Sequence, residues 1–423
     1  MRIENLCVRR VFGDVASATT KGHKIALKGG YIHQTFQGGY TFSPLGWLVL
    51  YKIENIIREE MNAINGQEIL MPVVAGADLW KESGRYNSVD VLAKFKGRSG
   101  TEYVLNPTHE EVVVDFVKTV LESYRQLPFA VYQIQTKFRD EIRVRAGLIR
   151  TREFIMKDLY SFHTSEEDLQ KYYDRCLDAY YKIFKRCGLK NIIHVASSTG
   201  DMGGSGAHEF QLINEMGEDT VYICDCGFNA NKDIINDDAL CPKCGKKMRA
   251  ERGVEIGNIF QLGTKYSKSM NLTFTDSDGS VKNPIMGCYG IGVGRTLAAI
   301  LEESADENGP VWNMETAPFT VHIIGLADKT GKSFKLAEKI YKGLCAKKIE
   351  TIIDNRDVRA GEKFADADLI AAPIRFIVSE KNLADNFIEI KYRVNNKDTS
   401  SMKTKFSIKN YLKDVKNAIA ELK

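Results

Sequence analysis

The sequence predicts an α/β (α+β) protein of two or three domains, the last a small one on a mixed sheet. Three observations lead there. The chain has 423 residues, more than one ordinary core holds. Its first three quarters mix strand patterns with long helical ones and include a strand, basic loop, strand hairpin. After Ala317-Pro318, short strands and helices alternate as in a small α/β domain, with the boundary near residue 315. A hydrophobic fraction of 43% and a charged fraction of 27% are those of a globular protein. No apolar run reaches the roughly 18 residues of a membrane span, and MRIENLCVRR lacks the apolar core of a signal peptide. A cytoplasmic protein is expected.

In chain order, GGYTFSPLGWLVLYKIENIIREEMNAINGQEILMPVV reads as strand, turn, helix, strand. Pro44 and Gly46 mark the turn. Leu50, Ile53, Ile56, Ile57 and Met61 recur at helical spacing, Gly66 ends the helix, and Glu68 to Val74 runs as a strand. EYVLNPTHEEVVVDFVKTVL is a strand and then a helix, with Thr108 as N-cap and Glu110 and Glu111 in its positive first turn. From Lys137 to Lys157 there are seven Lys or Arg against three Asp or Glu. A solvated helix face would explain that balance. YQIQTKFRDE and EFIMKDLYSFH both read as strands, however, with Gly147 between them, so a hairpin is favoured. Glu166 to Cys187 is a helix with apolar Leu169, Tyr172, Tyr173, Cys176 and Tyr180.

MGCYGIGVGRTLAAILEE places a glycine-rich turn before an apolar helix, with Arg295 in the first turn. Helix amides and a guanidinium there suit a phosphate; the same glycines suit tight strand–helix packing. It is neither a P-loop nor a dinucleotide fingerprint. In the last quarter FTVHIIGL is a strand, Lys332 to Lys347 a helix, IETIIDN a strand, FADADLIAAP a short helix, and IRFIVS and FIEIKYR are strands. From Thr316 onward there are 21 Lys or Arg against 14 Asp or Glu, while residues 1–315 carry 38 against 41. That surplus suits a polyanion such as RNA, and also a surface kept in solution by lysine.

Of nine cysteines, five are scattered as buried thiols usually are. Cys224, Cys226, Cys241 and Cys244 cluster as CxC, a 14-residue gap, then CxxC. Four thiolates so spaced can close a tetrahedral structural Zn²⁺ site. Four reduced thiols on a loop are the alternative.

Three elements now stand together: the strand, turn, helix with Pro44, the hairpin opening on Phe138-Arg139-Asp140-Glu141, and the glycine-rich strand–helix ending in Arg295. They resemble motifs 1, 2 and 3 of the class II aminoacyl-tRNA synthetases. NPTHEE, KFRDEIR, REFIMKDLYSFH, GGSGAHEF, GTKYS, GCYGIGVGR and DNRDVRAGEKFADADLI narrow the resemblance to prolyl-tRNA synthetases, over nearly the whole chain. It implies a catalytic domain on an antiparallel sheet over residues 1–315, with a short Cys-rich insert at about 221–250, and an anticodon-binding α/β domain over 316–423. It implies a homodimer through motif 1. It also implies a reaction: ATP and proline give prolyl-adenylate and diphosphate, and the prolyl group passes to the 3′ end of tRNA(Pro).

The resemblance assigns roles by position. Arg139 would meet the α-phosphate, Glu141 the adenine amino group, Phe154 the adenine ring and Arg295 the γ-phosphate, with Mg²⁺ shielding the polyphosphate. Thr108, Glu110 and His208, with Arg139, would hold proline, and glycines 203, 204 and 206 would let backbone approach its ring. On the residues alone Thr108 is a helix cap, Glu110 a dipole complement and His208 a structural histidine. Arg143, Arg145, Arg150 and Arg152 would meet the tRNA acceptor end, and Arg356, Arg359, Glu362 and Lys363 lie in the anticodon-domain motif.

The interval between motifs 2 and 3 is too short for the editing domain of many bacterial relatives. In-cis editing is therefore expected to be absent, with some alanine activated and a separate editing protein required. Val144, Ala146, Asn258 and Gly294 depart from the family's usual residues. The alternative is a synthetase-like paralogue that binds RNA or a protein without aminoacylation. Such proteins usually lose the motif 2 or 3 arginines, and Arg139 and Arg295 are both present.

Overall fold

The Arg-rich stretch is a hairpin: Phe129–Phe138 and Glu153–His163 pair antiparallel, Phe129 opposite Phe162 and Phe138 opposite Glu153. The computed structural model describes residues 1–422 apart from 12, 14, 327–330 and 395–402. The chain divides into two compact units. One is Phe36–Gly39 with Glu54–Ala299; the other is Met1–Thr35, Tyr40–Ile53 and Ile300–Lys423.

The first unit is built on nine strands: β1 (Gly66–Glu68), β2 (Phe129–Phe138), β3 (Glu153–His163), β4 (Ile192–Ser197), β5 (Gly206–Ile213), β6 (Asp219–Ile223), β7 (Asn229–Asn231), β8 (Arg249–Gly263) and β9 (Ile285–Gly292). Their order is β5-β4-β7-β6-β8-β9-β3-β2-β1, with β5 also paired to β8. Only β1 with β2 and β7 with β4 run parallel. Gly253 of β8 pairs with both Ile213 and Asp219, and Gly257 with both Phe210 and Ile291. A strand residue has two edges, so β6 and β9 share one edge of β8. Val254, Glu255 and Ile256 lie in the gap between them.

Two helices of this unit matter most. Helix α2 (Glu110–Val117) buries Val112, Val113, Val114 and Val117 in a core with Val131, Tyr160, Phe162, Phe260 and Cys288. Helix α3 (Glu166–Arg186) starts at Ser165, whose hydroxyl accepts from the Asp168 amide, and buries the five residues expected of it. Helix α1 (Pro44–Ala63) precedes them in the chain and buries Leu50, Ile53, Ile56, Ile57 and Met61.

Several local expectations change. The left-handed residue after α1 is Asn65, φ +65°, not Gly66. The expected strand from Glu68 to Val74 is broken: its start belongs to β1, and Val74–Gly76 joins a separate three-stranded sheet with Ala93–Lys96 and Glu102–Leu105. Pro72, which has no amide to donate, lies between the two pieces. The N-cap of α2 is His109, without a side-chain cap bond. Thr108 turns its hydroxyl to the Glu110 carboxylate instead, at 2.6 Å. Gly287, Gly290 and Gly292 lie in strand β9, which leads straight into α4 (Val293–Ser304), where Gly294 sits.

The second unit carries a mixed sheet of β10 (Val321–Leu326), β11 (Thr351–Asp354), β12 (Ile374–Ser379), β13 (Phe387–Tyr392) and β14 (Lys403–Ser407), in the order β11-β10-β12-β13-β14. β10 runs parallel to β11 and β12, and the remaining pairs are antiparallel. Helices α5 (Lys332–Ala346), α6 (Ala360–Ile370) and α7 (Tyr411–Leu422) complete it. Ile323, Ile340, Leu344, Phe376 and Ile390 form its core. The N-terminal segment packs in this unit: Arg2 forms two 2.6 Å bonds to Glu338, and Arg10 pairs with Asp366.

Candidate active site

Side chains on a strand alternate between faces, so register decides which motif residues can meet. One line across the sheet reads Val131, Tyr160, Cys288, Phe260, Ala207, and the next in phase reads Gln133, Asp158, Gly290, Asn258, Glu209. These share a face. The intervening line, Tyr132, Leu159, Tyr289, Ile259, His208, points the other way.

The first face carries a cavity lined by Arg139, Glu141, Leu148, Phe154, Met156, Glu255, Asn258, Gly290, Gly292 and Arg295, among others. Gly290 and Gly292 have ordinary φ; they serve by leaving room. A Cβ on Gly290 would stand 2.8 Å from the Asn258 side chain, and one on Gly292 3.2 Å from Arg295. The Arg139 guanidinium lies 5.1 Å from the centre of the Phe154 ring. Its Nε donates to the Pro107 carbonyl at 3.4 Å. Arg295 donates to the Ile149 carbonyl at 2.9 Å and pairs with Glu255 at 2.9 Å. Burial, and then the charge of Arg295, push Arg139 below its usual value. Two neighbouring guanidiniums that repel each other invite a polyanion.

Acidic groups stand beside them. Glu218, Asp219 and Glu255 line the same depression as Arg139 and Arg295. Asn258, a departure from the family pattern, donates to Glu255 at 2.9 Å. Burial and then Glu255 push the Glu209 carboxyl up to about 7, and burial raises Asp219 too.

The NPTHEE segment meets the same face. Glu110 is fully buried; besides Thr108 it accepts from the Cys288 thiol at 3.1 Å and lies 3.6 Å from Arg85. Burial, and then Glu110 itself, hold Cys288 well above its ordinary value, so it stays a thiol and a donor. Behind it, Lys137 pairs with Asp158 at 2.7 Å, and Asp158 also accepts from Gln133 and Tyr160, each at 2.9 Å. The Tyr160 hydroxyl in turn accepts the His109 amide at 3.0 Å. All of these groups are buried and each takes part in at least one hydrogen bond or ion pair, while Arg85 Nε and His109 Nδ1 have no hydrogen-bond partner among the described residues.

Arg85, Lys137, Asp158, Glu255 and Cys288 were not singled out from the sequence. Strand alternation from Phe154 through Met156 and Asp158 to Tyr160 carries the signal for Asp158. Nothing local marks Arg85.

Thr108, Glu110, Arg139, Glu141, Phe154 and Arg295 are thus brought to one face. His208 is not among them. It sits on the opposite face, its ring bonded to the Tyr173 hydroxyl of α3 at 2.7 Å. Its strand neighbours Ala207 and Glu209 face the cavity side instead. The glycines before it serve chain crossing: Gly204 has φ +105°, and a Cβ there would lie 2.0 Å from the Gln261 carbonyl.

At the hairpin tip Arg143, Arg145 and Arg150 are exposed. Arg150 donates to Glu141 at 2.8 and 3.0 Å, so these two are already partners. In the second unit Arg359 is exposed at the start of α6. Lys363 is buried and donates to the Gly325 carbonyl at 2.6 Å, so it offers no charge to solvent. Arg356 is held by Asp354 and Asp366. In the insert, the sulfurs of Cys224, Cys226, Cys241 and Cys244 lie within 4.8 Å of one another.

Comparison with known proteins gives the same picture. Residues 94–304 match the class II tRNA synthetase core domain (G, H, P, S and T), and residues 320–417 match the anticodon binding domain. A proline–tRNA ligase of Anaplasma phagocytophilum is 42% identical over 91% of this chain and 93% of its own. One from Thermotoga neapolitana is 34% identical over 100% of this chain and 98% of its own, in an alignment of 576 positions; it therefore carries segments that this chain lacks. Crystal structures of prolyl-tRNA synthetase from Cryptosporidium parvum share the fold. The complex with halofuginone and AMPPNP has a TM-score of 0.77 at 17% identity, covering 97% of this chain and 80% of that one. The complex with L-proline and AMP has 0.76 at 18%, covering 98% and 78%. The chain belongs to the prolyl-tRNA synthetases, class II ligases that join proline to tRNA at the expense of ATP.

Proposed function

We propose that the sheet face described above binds ATP at its Arg139–Arg295 end and proline at its Glu110 end. The observation that carries this is the position of Arg139. It stands over Phe154 on one side and reaches the Pro107 carbonyl, next to Thr108 and Glu110, on the other. A group so placed touches both reactants where they join.

In this reading the proline carboxylate attacks the α-phosphorus and diphosphate leaves. Arg139 stabilises the charge that develops there, and Arg295 holds the outer phosphate. Phe154 stacks on adenine, and Glu141, released from Arg150, accepts from its amino group. Thr108 and Glu110 take the secondary ammonium. Mg²⁺ would sit on the acidic side of the cavity, where burial and then the charge of nearby carboxylates raise Glu209 and Asp219; Glu255 and Asp219 are the residues that would hold it. Bound there, it neutralises polyphosphate charge. Catalysis is otherwise positioning and electrostatics.

The terminal adenosine hydroxyl of tRNA(Pro) then attacks the activated carbonyl, the anhydride bond to phosphate breaks and AMP leaves. Arg143, Arg145 and Arg150 serve its acceptor end and Arg359 its anticodon end. Residues 1–315 form the catalytic domain and 316–423 the anticodon domain. The protein works in the cytoplasm as a homodimer; Trp47 and Tyr51 of α1, 47% and 50% exposed, suit a partner copy. The four-cysteine insert carries a structural zinc ion.

The test is amino-acid-dependent ATP–pyrophosphate exchange with proline, alanine, cysteine and threonine. Proline should dominate, with alanine about 10–200-fold lower, the range a missing methylene gives. No exchange with proline from folded protein would overturn the reading.

A further inference from the structure

The two cysteine pairs form matched turns. Cys224 directly follows β6, and the chain turns at Gly227, φ +88°, with the Gly227 amide on the Cys224 carbonyl at 3.0 Å. Cys241 sits in a second turn closed at Gly245, φ +72°, with the Gly245 amide on the Cys241 carbonyl at 2.8 Å. Across the turns, Cys224 and Cys244 sulfurs lie 3.5 Å apart and Cys226 and Cys241 3.6 Å. A Zn–S distance of about 2.3 Å places tetrahedral sulfurs about 3.8 Å apart, inside the observed spread. The segment's own apolar core is small. Its apolar cluster has three buried residues, Cys224, Cys241 and Met248, and Ile234 and Leu240 are exposed. So small a core needs a staple.

The segment also leads somewhere. β6 and β8 pair from Ile223 opposite Arg249 to Asp219 opposite Gly253. The cysteines flank the outer end, next to Ile223 and Met248. The inner end, about 13 Å along the strand, is the acidic wall of the cavity: Glu218, Asp219, Gly253 and Glu255. β7, the return strand of the first turn, reaches that wall through Glu209 and Gln211. Asn231 donates to Glu209 at 2.9 Å, and Gln211 links Glu209 to Asp219 at 2.9 and 3.0 Å.

We infer that Cys224, Cys226, Cys241 and Cys244 bind one structural Zn²⁺ that clamps the β6–β8 pair and so holds the acidic wall in place for the nucleotide. The coupling rests on the ATP reading above; the metal site does not. Zinc at the outer end fixes how far β6 lies from β8, and through Asn231 where Glu209 and Asp219 stand. The proline end, on β9 and α2, shares no strand with the clamp.

The experiment uses the full chain purified without chelators. Elemental analysis should find about one zinc per chain, and cobalt substituted for it should give the absorption of a tetrahedral tetrathiolate. Less than about 0.2 zinc per chain, with no such cobalt spectrum, overturns the site. The double variant Cys241→Ser, Cys244→Ser should lose the metal and raise KM for ATP about fivefold or more in pyrophosphate exchange, with KM for proline within about twofold. Cys226→His, which keeps a four-ligand site, should keep zinc and the KM for ATP. If the double variant does not fold, Cys226→His loaded with zinc and then stripped by chelator supplies the same comparison. Loss of zinc with an unchanged KM for ATP overturns the coupling. Wild-type protein that holds zinc but shows no proline-dependent exchange overturns the nucleotide reading and leaves the metal site standing.

Discussion

The two faces of the main sheet use the same strands for different ends. On the cavity face β3 presents Phe154, Met156, Asp158 and Tyr160. On the other lie Lys157, Leu159 and Ser161, of which Lys157 reaches Tyr180 of α3. Lys137 and Lys157 make the contrast plain, since both are fully buried. Lys137 pairs with Asp158 at 2.7 Å. Lys157 has no carboxylate at ion-pair distance among the described residues; it donates to the Tyr180 hydroxyl at 2.7 Å and the Tyr289 carbonyl at 3.0 Å. Burial pushes it down to about 7. Lys157 and Asp158 are neighbours in one motif yet serve different sites. His208 and Glu209 differ in the same way. Membership of a motif does not place a residue in the site; strand phase does.

That contrast can be broken in several places. The largest effect is expected at Asp158→Asn, which strands the buried Lys137 charge; unfolding free energy should fall by about 3–5 kcal/mol in denaturant titration. A loss under about 1 kcal/mol would mean that the pair is not a buried ion pair. Next, Arg139→Ala should slow proline-dependent exchange about 10²–10³-fold with little change in unfolding midpoint.

A pH effect of similar size is expected at His109. Burial, and then Lys137, hold it down to about 4 against an ordinary 6.5. Between those values the unfolded chain takes up a proton that the folded chain refuses. Its contribution is therefore full above pH 6.5 and is lost as pH falls toward 4, by about 3 kcal/mol. His109→Gln should flatten the stability–pH curve of the wild type in that window. On the far face, Tyr173→Phe removes one hydrogen bond to His208 and should cost about 1 kcal/mol, leaving KM for proline unchanged.

How much was legible follows from the same distinction. Periodicity marked the hairpin, α1, α3 and the alternating strands of the second unit, because each buries one face against a core. It missed β14 and α7, and it did not associate the first 35 residues with residues 300–423, since Arg2–Glu338 and Arg10–Asp366 are contacts across the whole chain length. Motif resemblance singled out Glu110 and Arg139, which lie on one face of the sheet. The same resemblance singled out Lys363 and His208, where a buried carbonyl in one case and strand phase in the other decide where the side chain points. Arg85 and Cys288 depend on contacts between distant segments, which no local pattern announces.

The most direct measurement compares the kinetics of Glu110→Gln and His208→Gln in proline-dependent ATP–pyrophosphate exchange, with thermal unfolding run on each. The account predicts that Glu110→Gln lowers kcat/KM for proline about a hundredfold or more, while His208→Gln stays within about threefold. A large loss of proline affinity at His208, with Glu110→Gln near wild type, would contradict it and move the amino-acid site to the other face of the sheet.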